Sequence, residues 1–260
     1  PASGAMRTRL PYTFWLAAIW MAISFLHRLA GLFTASQLLL TLGVIFSATI
    51  TLEKGSWFAD SAHPLLDPWT LQTYGIAIAV LSLAWVSVRI SFRRFGGVSL
   101  DDRRDEKWSA QTSNPRTGWR DTAAWLLFPP WPSFDRMATV IVLIGLAGLV
   151  AYGVTPGMLH ELGPRVALPA GNWSIAEIPP EHALGAGSWV LMVLLATVMI
   201  ARLWEQFDRW LVLGAILAAA TACPLIAGCC DSATASALRW LSAGFLVLGS
   251  IPLWFRAALP

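Results

Sequence analysis

The stretch MATVIVLIGLAGLVAYGV, from Met137 to Val154, decides the fold class. It runs for 18 residues without a charged side chain. A bilayer's hydrocarbon core asks for about 20 apolar residues per helix, with roughly 17 to 25 tolerated, so this run has membrane-crossing length. Phe134-Asp135-Arg136 stands just before it, and Phe207-Asp208-Arg209 stands just before a later apolar run. An acid at a helix start complements the positive end of the helix dipole, and the arginine beside it reaches toward anionic headgroups.

Carried outward, the same ruler finds seven runs, at 12–27, 33–52, 72–90, 137–154, 187–202, 209–227 and 238–256. The first and fifth are short. The first also reads as an interfacial or re-entrant helix, which makes six the runner-up count. Composition agrees: of 260 residues 56% are apolar and 13% charged, with a mean hydropathy of +0.60. A soluble domain carries roughly 25% charged residues, so this chain lacks the charge to cover a water-facing surface. Disordered, collagen-like and disulfide-scaffold classes are excluded, because apolar content is high, glycine has no period and there are three cysteines. The expected fold is all-α, a polytopic transmembrane helix bundle of about seven spans. Its parts are a tail (1–11), three spans (12–90), a loop with an interfacial helix (91–136), four spans (137–256) and an end (257–260).

Charge gives the expected orientation. The connection 91–136 holds Arg93, Arg94, Arg103, Arg104, Lys107, Arg116, Arg120 and Arg136 and is expected on the cytoplasmic side. Seven alternating spans then place Arg28, Arg202, Arg209 and Arg256 on the same side, and Glu53, Asp60, Asp67, Glu161, Glu177, Glu181 and Asp231 on the other. Arg7 and Arg9 break the pattern. The net charge of +3 and pI near 9.1 follow from that loop, so no nucleic-acid partner is expected. Tryptophans such as Trp15, Trp57, Trp69, Trp131 and Trp189 fall near span ends, as an aromatic belt requires. Small residues four apart, at Gly214/Ala218/Ala222, Ala18/Ala22 and Ala147/Ala151, are expected helix contacts. Trp119 to Trp131 reads as a short amphipathic helix on the membrane surface.

Chemistry is sparse. An ionisable residue at membrane depth points to function, and His27 and Arg28 sit at the boundary of the first two spans. Arg89, Arg202 with Glu205, and Arg239 with Asp231 lie close to other span ends. Arg202 and Glu205 are three apart on one helical face, within reach of each other, but such pairs near the interface are worth little and are usually structural. No carboxylate is expected inside the bundle. His63, His160 and His182 are placed in loops, which leaves no facing histidine pair for haem, and the cofactor stays unknown. Cys223, Cys229 and Cys230 lack the spacing of a zinc site and read as small apolar filling. Phosphate-loop, dinucleotide and nucleophile-elbow motifs are missing from the sequence. Asn172-Trp173-Ser174 matches the glycosylation acceptor pattern.

The strings Ala235-Ser236-Ala237-Leu238-Arg239-Trp240, Gly249-Ser250-Ile251-Pro252-Leu253-Trp254-Phe255-Arg256, Ser133-Phe134-Asp135-Arg136 and Val154-Thr155-Pro156-Gly157 carry a resemblance. Over about 120–256 the chain resembles the amino-terminal membrane part of bacterial O-antigen ligase-type multi-span proteins. That resemblance implies handling of a lipid-linked glycan. The family's arginines and histidines act around a large external loop in the carboxy-terminal half, and no position here matches it, so no catalytic residue carries over. The expected role is a membrane scaffold or lipid-cleft segment, with His27, Arg28, Asp231 and Arg239 lining any phosphate-binding cleft, since arginine binds phosphate through paired hydrogen bonds. Partners under this reading are membrane lipid, a lipid-linked glycan and other membrane subunits. The competing expectations are a non-catalytic subunit of a membrane complex, including an energy-transducing one, and a transporter segment. Pro1 to Ala5 read as the edge of a longer protein, with Met6 as a natural start, and the end after Phe255-Arg256 reads as a cut.

Overall fold

A computed structural model describes residues 2–55, 57–58, 64–65, 67–96, 119–128, 134–162, 183–205, 214, 217–218, 221–222 and 225. All elements among them are helical: α1 (Ala2–His27), α2 (Ala30–Leu52), α3 (Pro68–Gly96), α4 (Trp119–Leu127), α5 (Phe134–Leu162) and α6 (Ala186–Glu205). Four stretches are long and apolar enough to cross a membrane, Arg7–His27, Ala30–Leu52, Pro68–Arg94 and Phe134–Gly153, as in an integral membrane protein. Ala186–Arg202 is a shorter apolar helix. Of the seven expected runs, 209–227 and 238–256 lie wholly or largely outside the described residues, and the four spans are counted among the described residues alone.

The helices exceed their apolar runs. The run expected at 72–90 becomes a helix from Pro68 to Gly96, because Asp67 and Pro68 start it early. The Asp67 carboxylate accepts a hydrogen bond from the Trp69 backbone N–H at 2.9 Å, and proline at the first helical position gives up a donor that has no partner there anyway. At its other end Arg93 and Arg94 favour the negative end of the dipole. The run expected at 137–154 becomes Phe134–Leu162, which places His160 in a helix rather than a loop.

Only Arg28 and Leu29 separate α1 from α2. Arg28 takes the left-handed conformation, φ 55°, and the Leu29 N–H bonds back to the Ser24 carbonyl at 3.2 Å. That is a Schellman closure, with arginine where glycine is the favoured residue. The two helices therefore run antiparallel, with Phe14 against Gly43 and Phe25 edge-on to Phe33. α3 and α6 run parallel to each other, because Gln72 meets Ser188 and Gly75 meets Leu191 near their starts. α5 runs opposite to both.

Two apolar cores result. One packs Ala79 of α3, Leu143, Leu146 and Val150 of α5 and Leu191 and Leu195 of α6, with Leu225 closing it. The other gathers Phe33, Trp85 and Phe92 under Leu126 and Leu127 of α4. In the short helix at Trp119–Leu127, Ala123, Ala124, Leu126 and Leu127 are thus buried against α1, α2 and α3.

The small-residue rows divide. Gly214 lies against Met199, and Ala218 and Ala222 pack on the α3–α5–α6 core, as expected. Ala18 and Ala22 are exposed, contrary to expectation, and Ala17 and Ser24 are the buried small residues of α1. Ala151 is also exposed; Val150 is the buried neighbour. Four-residue spacing recurs on every face of an alanine-rich helix, so it does not choose the contact face.

A Cβ at Gly75 would stand 2.7 Å from Leu191 Cδ2, too close for an unshifted core. Gly75→Leu should therefore destabilise the bundle by about 1–3 kcal/mol or more, the cost of overpacking. Ala22→Leu, on an exposed face, should stay within about 0.5 kcal/mol. Unfolding of both variants in mixed micelles checks the pair. Equal effects would show that α3 and α6 are not in close contact.

Candidate functional site

At one end of the bundle α3 and α6 finish and α5 begins. Asp135 stands in the first turn of α5 and is 3% exposed. Arg89 of α3, 2% exposed, grips it with two parallel bonds, Nη1 to Oδ1 at 2.9 Å and Nη2 to Oδ2 at 2.7 Å. Arg202, in the last turn of α6 and 8% exposed, reaches the same Oδ2 at 3.0 Å. Its Nη2 also donates to Thr139 Oγ1 at 3.1 Å, and that hydroxyl donates to the Asp135 carbonyl at 2.8 Å. Helix ends help: the carboxylate lies at the positive end of α5, and Arg202 at the negative end of α6.

This cluster corrects one expectation. A carboxylate is buried inside the bundle after all, because guanidinium groups from two neighbouring helices compensate it. Arg202 pairs with Asp135 across helices, and the Arg202–Glu205 contact read from the sequence falls on a side chain outside the described residues. Signals for the cluster were present in the sequence. Arg89, Asp135 and Arg202 all fall at span ends, and alternating spans bring those ends to one side.

Of the four residues expected to line a cleft, His27 and Arg28 are described. His27 is exposed at the end of α1. Arg28 is exposed in the turn, where its Nε donates to Thr122 Oγ1 at 3.0 Å and ties the α1–α2 turn to α4. Asp231 and Arg239 lie outside the described residues, as do His63 and His182. Among the described residues there is no group of three metal-ligating side chains.

The opposite end holds neutral polar contacts. Gln72 Nε2 donates to Ser188 Oγ at 3.0 Å, and that hydroxyl donates to the Ala183 carbonyl at 2.6 Å. Thr49 gives its proton to the Ile45 carbonyl and so accepts from Tyr74 at 3.0 Å. These bonds satisfy groups that would be costly to leave unpaired in a low-dielectric interior. The charged cluster and these contacts tie helix to helix at both ends of the bundle.

Breaking a buried ion pair by removing one partner costs about 3–5 kcal/mol, while replacing the whole set with apolar residues is often neutral or stabilising. Asp135→Ala should fall in that range, and Arg202→Met should cost less, because Arg89 keeps both bonds to the carboxylate. The triple variant Arg89→Met/Asp135→Leu/Arg202→Met should recover most of the loss, as read from unfolding midpoints in detergent. A triple variant no more stable than Asp135→Ala would give the cluster a role beyond joining helices. No protein family, no curated protein and no solved structure matches this chain.

Proposed function

We propose that this chain is an integral membrane scaffold, the membrane-embedded part of a larger glycan-assembly protein of the O-antigen ligase or polymerase type in a bacterial inner membrane. The observation that carries the scaffold reading is the placement of Asp135. Its carboxylate is spent on two arginines of neighbouring helices, an arrangement that fixes α3, α5 and α6 in register. The glycan-assembly part rests on the resemblance of the strings at 133–136, 154–157, 235–240 and 249–256 to those proteins. Its partners are then membrane lipid and a lipid-linked glycan, and the chain alone performs no transfer.

The charge distribution supports an orientation. Among the described residues Arg28, Arg89, Arg93, Arg94, Arg136 and Arg202 gather at one end with Asp135, whereas Arg7, Arg9, Lys54, Glu53 and Asp67 lie at the other. Positive residues flank the cytoplasmic ends of spans, so the basic end, to which the connection 91–136 belongs, faces the cytoplasm.

A second reading, a non-catalytic subunit of a membrane complex, draws on α1. Its Tyr12 and Trp15 are 73% and 67% exposed, and Ala18 and Ala22 lie exposed beside them. Small residues on such a helix let another helix approach closely.

Cysteine labelling in whole cells tests orientation, with Cys223, Cys229 and Cys230 first replaced by alanine. A cysteine at Ser174 should react with an impermeant reagent and one at Ser109 should not. The reverse pattern would overturn the orientation. For function, the full chain in native lipid, given a polyprenyl-linked glycan donor, should bind the donor and transfer nothing. Transfer by the chain alone would overturn the scaffold, and failure to bind donor would overturn the glycan-assembly reading in favour of the subunit.

A further inference from the structure

The basic end has a second feature beside the buried cluster. α4 lies across it, with Ala124, Leu126 and Leu127 buried and with Trp125 and Phe128 half-buried beside Phe92 of α3. Around this aromatic patch stand Arg93 and Arg94, exposed in the last turn of α3, and Arg28, exposed in the α1–α2 turn. Arg28 is fixed there. Its Nε bond to the buried Thr122 ties it to α4, and its backbone stays in the left-handed region that disfavours a side chain.

Arginines interleaved with tryptophan and phenylalanine, placed where apolar spans end, have the chemistry of a headgroup layer. The rings settle at the interface and the guanidinium groups bind phosphate oxygens through paired donors. We propose that Arg28, Arg93 and Arg94, with the aromatic residues around α4, form a docking surface for the headgroups of anionic phospholipids. This rests on the reading of the chain as a membrane scaffold with its basic end toward an anionic leaflet. Charge complementarity selects the occupant: Arg28, Arg93 and Arg94 are exposed around the patch, and Asp135, the carboxylate described at this end, is buried between Arg89 and Arg202.

Each arginine near an anionic leaflet is worth about fivefold in affinity. Native mass spectrometry of the full chain in detergent, titrated with phosphatidylglycerol and with phosphatidylcholine, reads the difference directly. Wild type should retain phosphatidylglycerol preferentially. Arg93→Gln/Arg94→Gln should lose that preference by more than about tenfold and Arg28→Gly by about fivefold, glycine being at ease in the left-handed turn. Arg7→Gln/Arg9→Gln, at the far end of α1, should change nothing. A wild type without preference, a basic-end variant that keeps it, or an equal loss in the far-end variant would each overturn the docking surface. Thermal unfolding of every variant is followed in parallel. Unchanged melting with no lipid preference would overturn the lipid surface alone, whereas a wild type that shows no cooperative melting would overturn the scaffold.

Discussion

The carboxylate of Asp135 sets where α3, α5 and α6 stand relative to one another. Hydrophobic burial drives helices together poorly inside a bilayer, because lipid tails are as apolar as leucine. A charge that must be compensated has few alternatives there, and among the described residues two arginines on two helices meet the same carboxylate. Once they do, depth and rotation of all three helices are constrained at that end. Leu143, Leu146, Leu191 and Leu195 then fill the space between them, and Gly75 permits the close approach of α3 to α6. At the far end Gln72 and Ser188 hold the same two helices with neutral groups. The ion cluster fixes the geometry, and the leucines and small residues complete the packing.

Much of this was legible in the sequence, and the misses have physical causes. The run from Met137 to Val154 gave the class, because length and lack of charge are sufficient for a membrane helix. Helix ends were misjudged at Pro68 and Leu162, since hydropathy measures only the lipid-facing part of a helix that continues through polar residues. Arg89, Asp135 and Arg202 were each visible near a span end, yet their meeting depends on which helices are neighbours, and hydropathy carries no such information. The exposed row Ala18 and Ala22 shows the same gap on a smaller scale: small size permits contact without specifying a partner. Arg28 was recognisable as a boundary residue, but its left-handed backbone and its bond to Thr122 depend on a helix that follows 94 residues later in the chain.

Chain order gives the buried cluster a history. Arg89 is made first, Asp135 follows 46 residues later, and Arg202 comes 67 residues after that. When α5 enters the membrane, its carboxylate meets an arginine already in place, and the pair they form is neutral. The two-helix stage therefore avoids carrying a lone charge into an apolar medium, where either partner by itself is costly. α6 arrives at a surface whose acceptor, Oδ2, is already oriented by the bonds to Arg89. A ribosome that stops between α5 and α6 thus leaves a charge-matched pair, and one that stops between α3 and α5 leaves Arg89 waiting. Quality-control proteases that recognise exposed charge within the membrane would distinguish those two products.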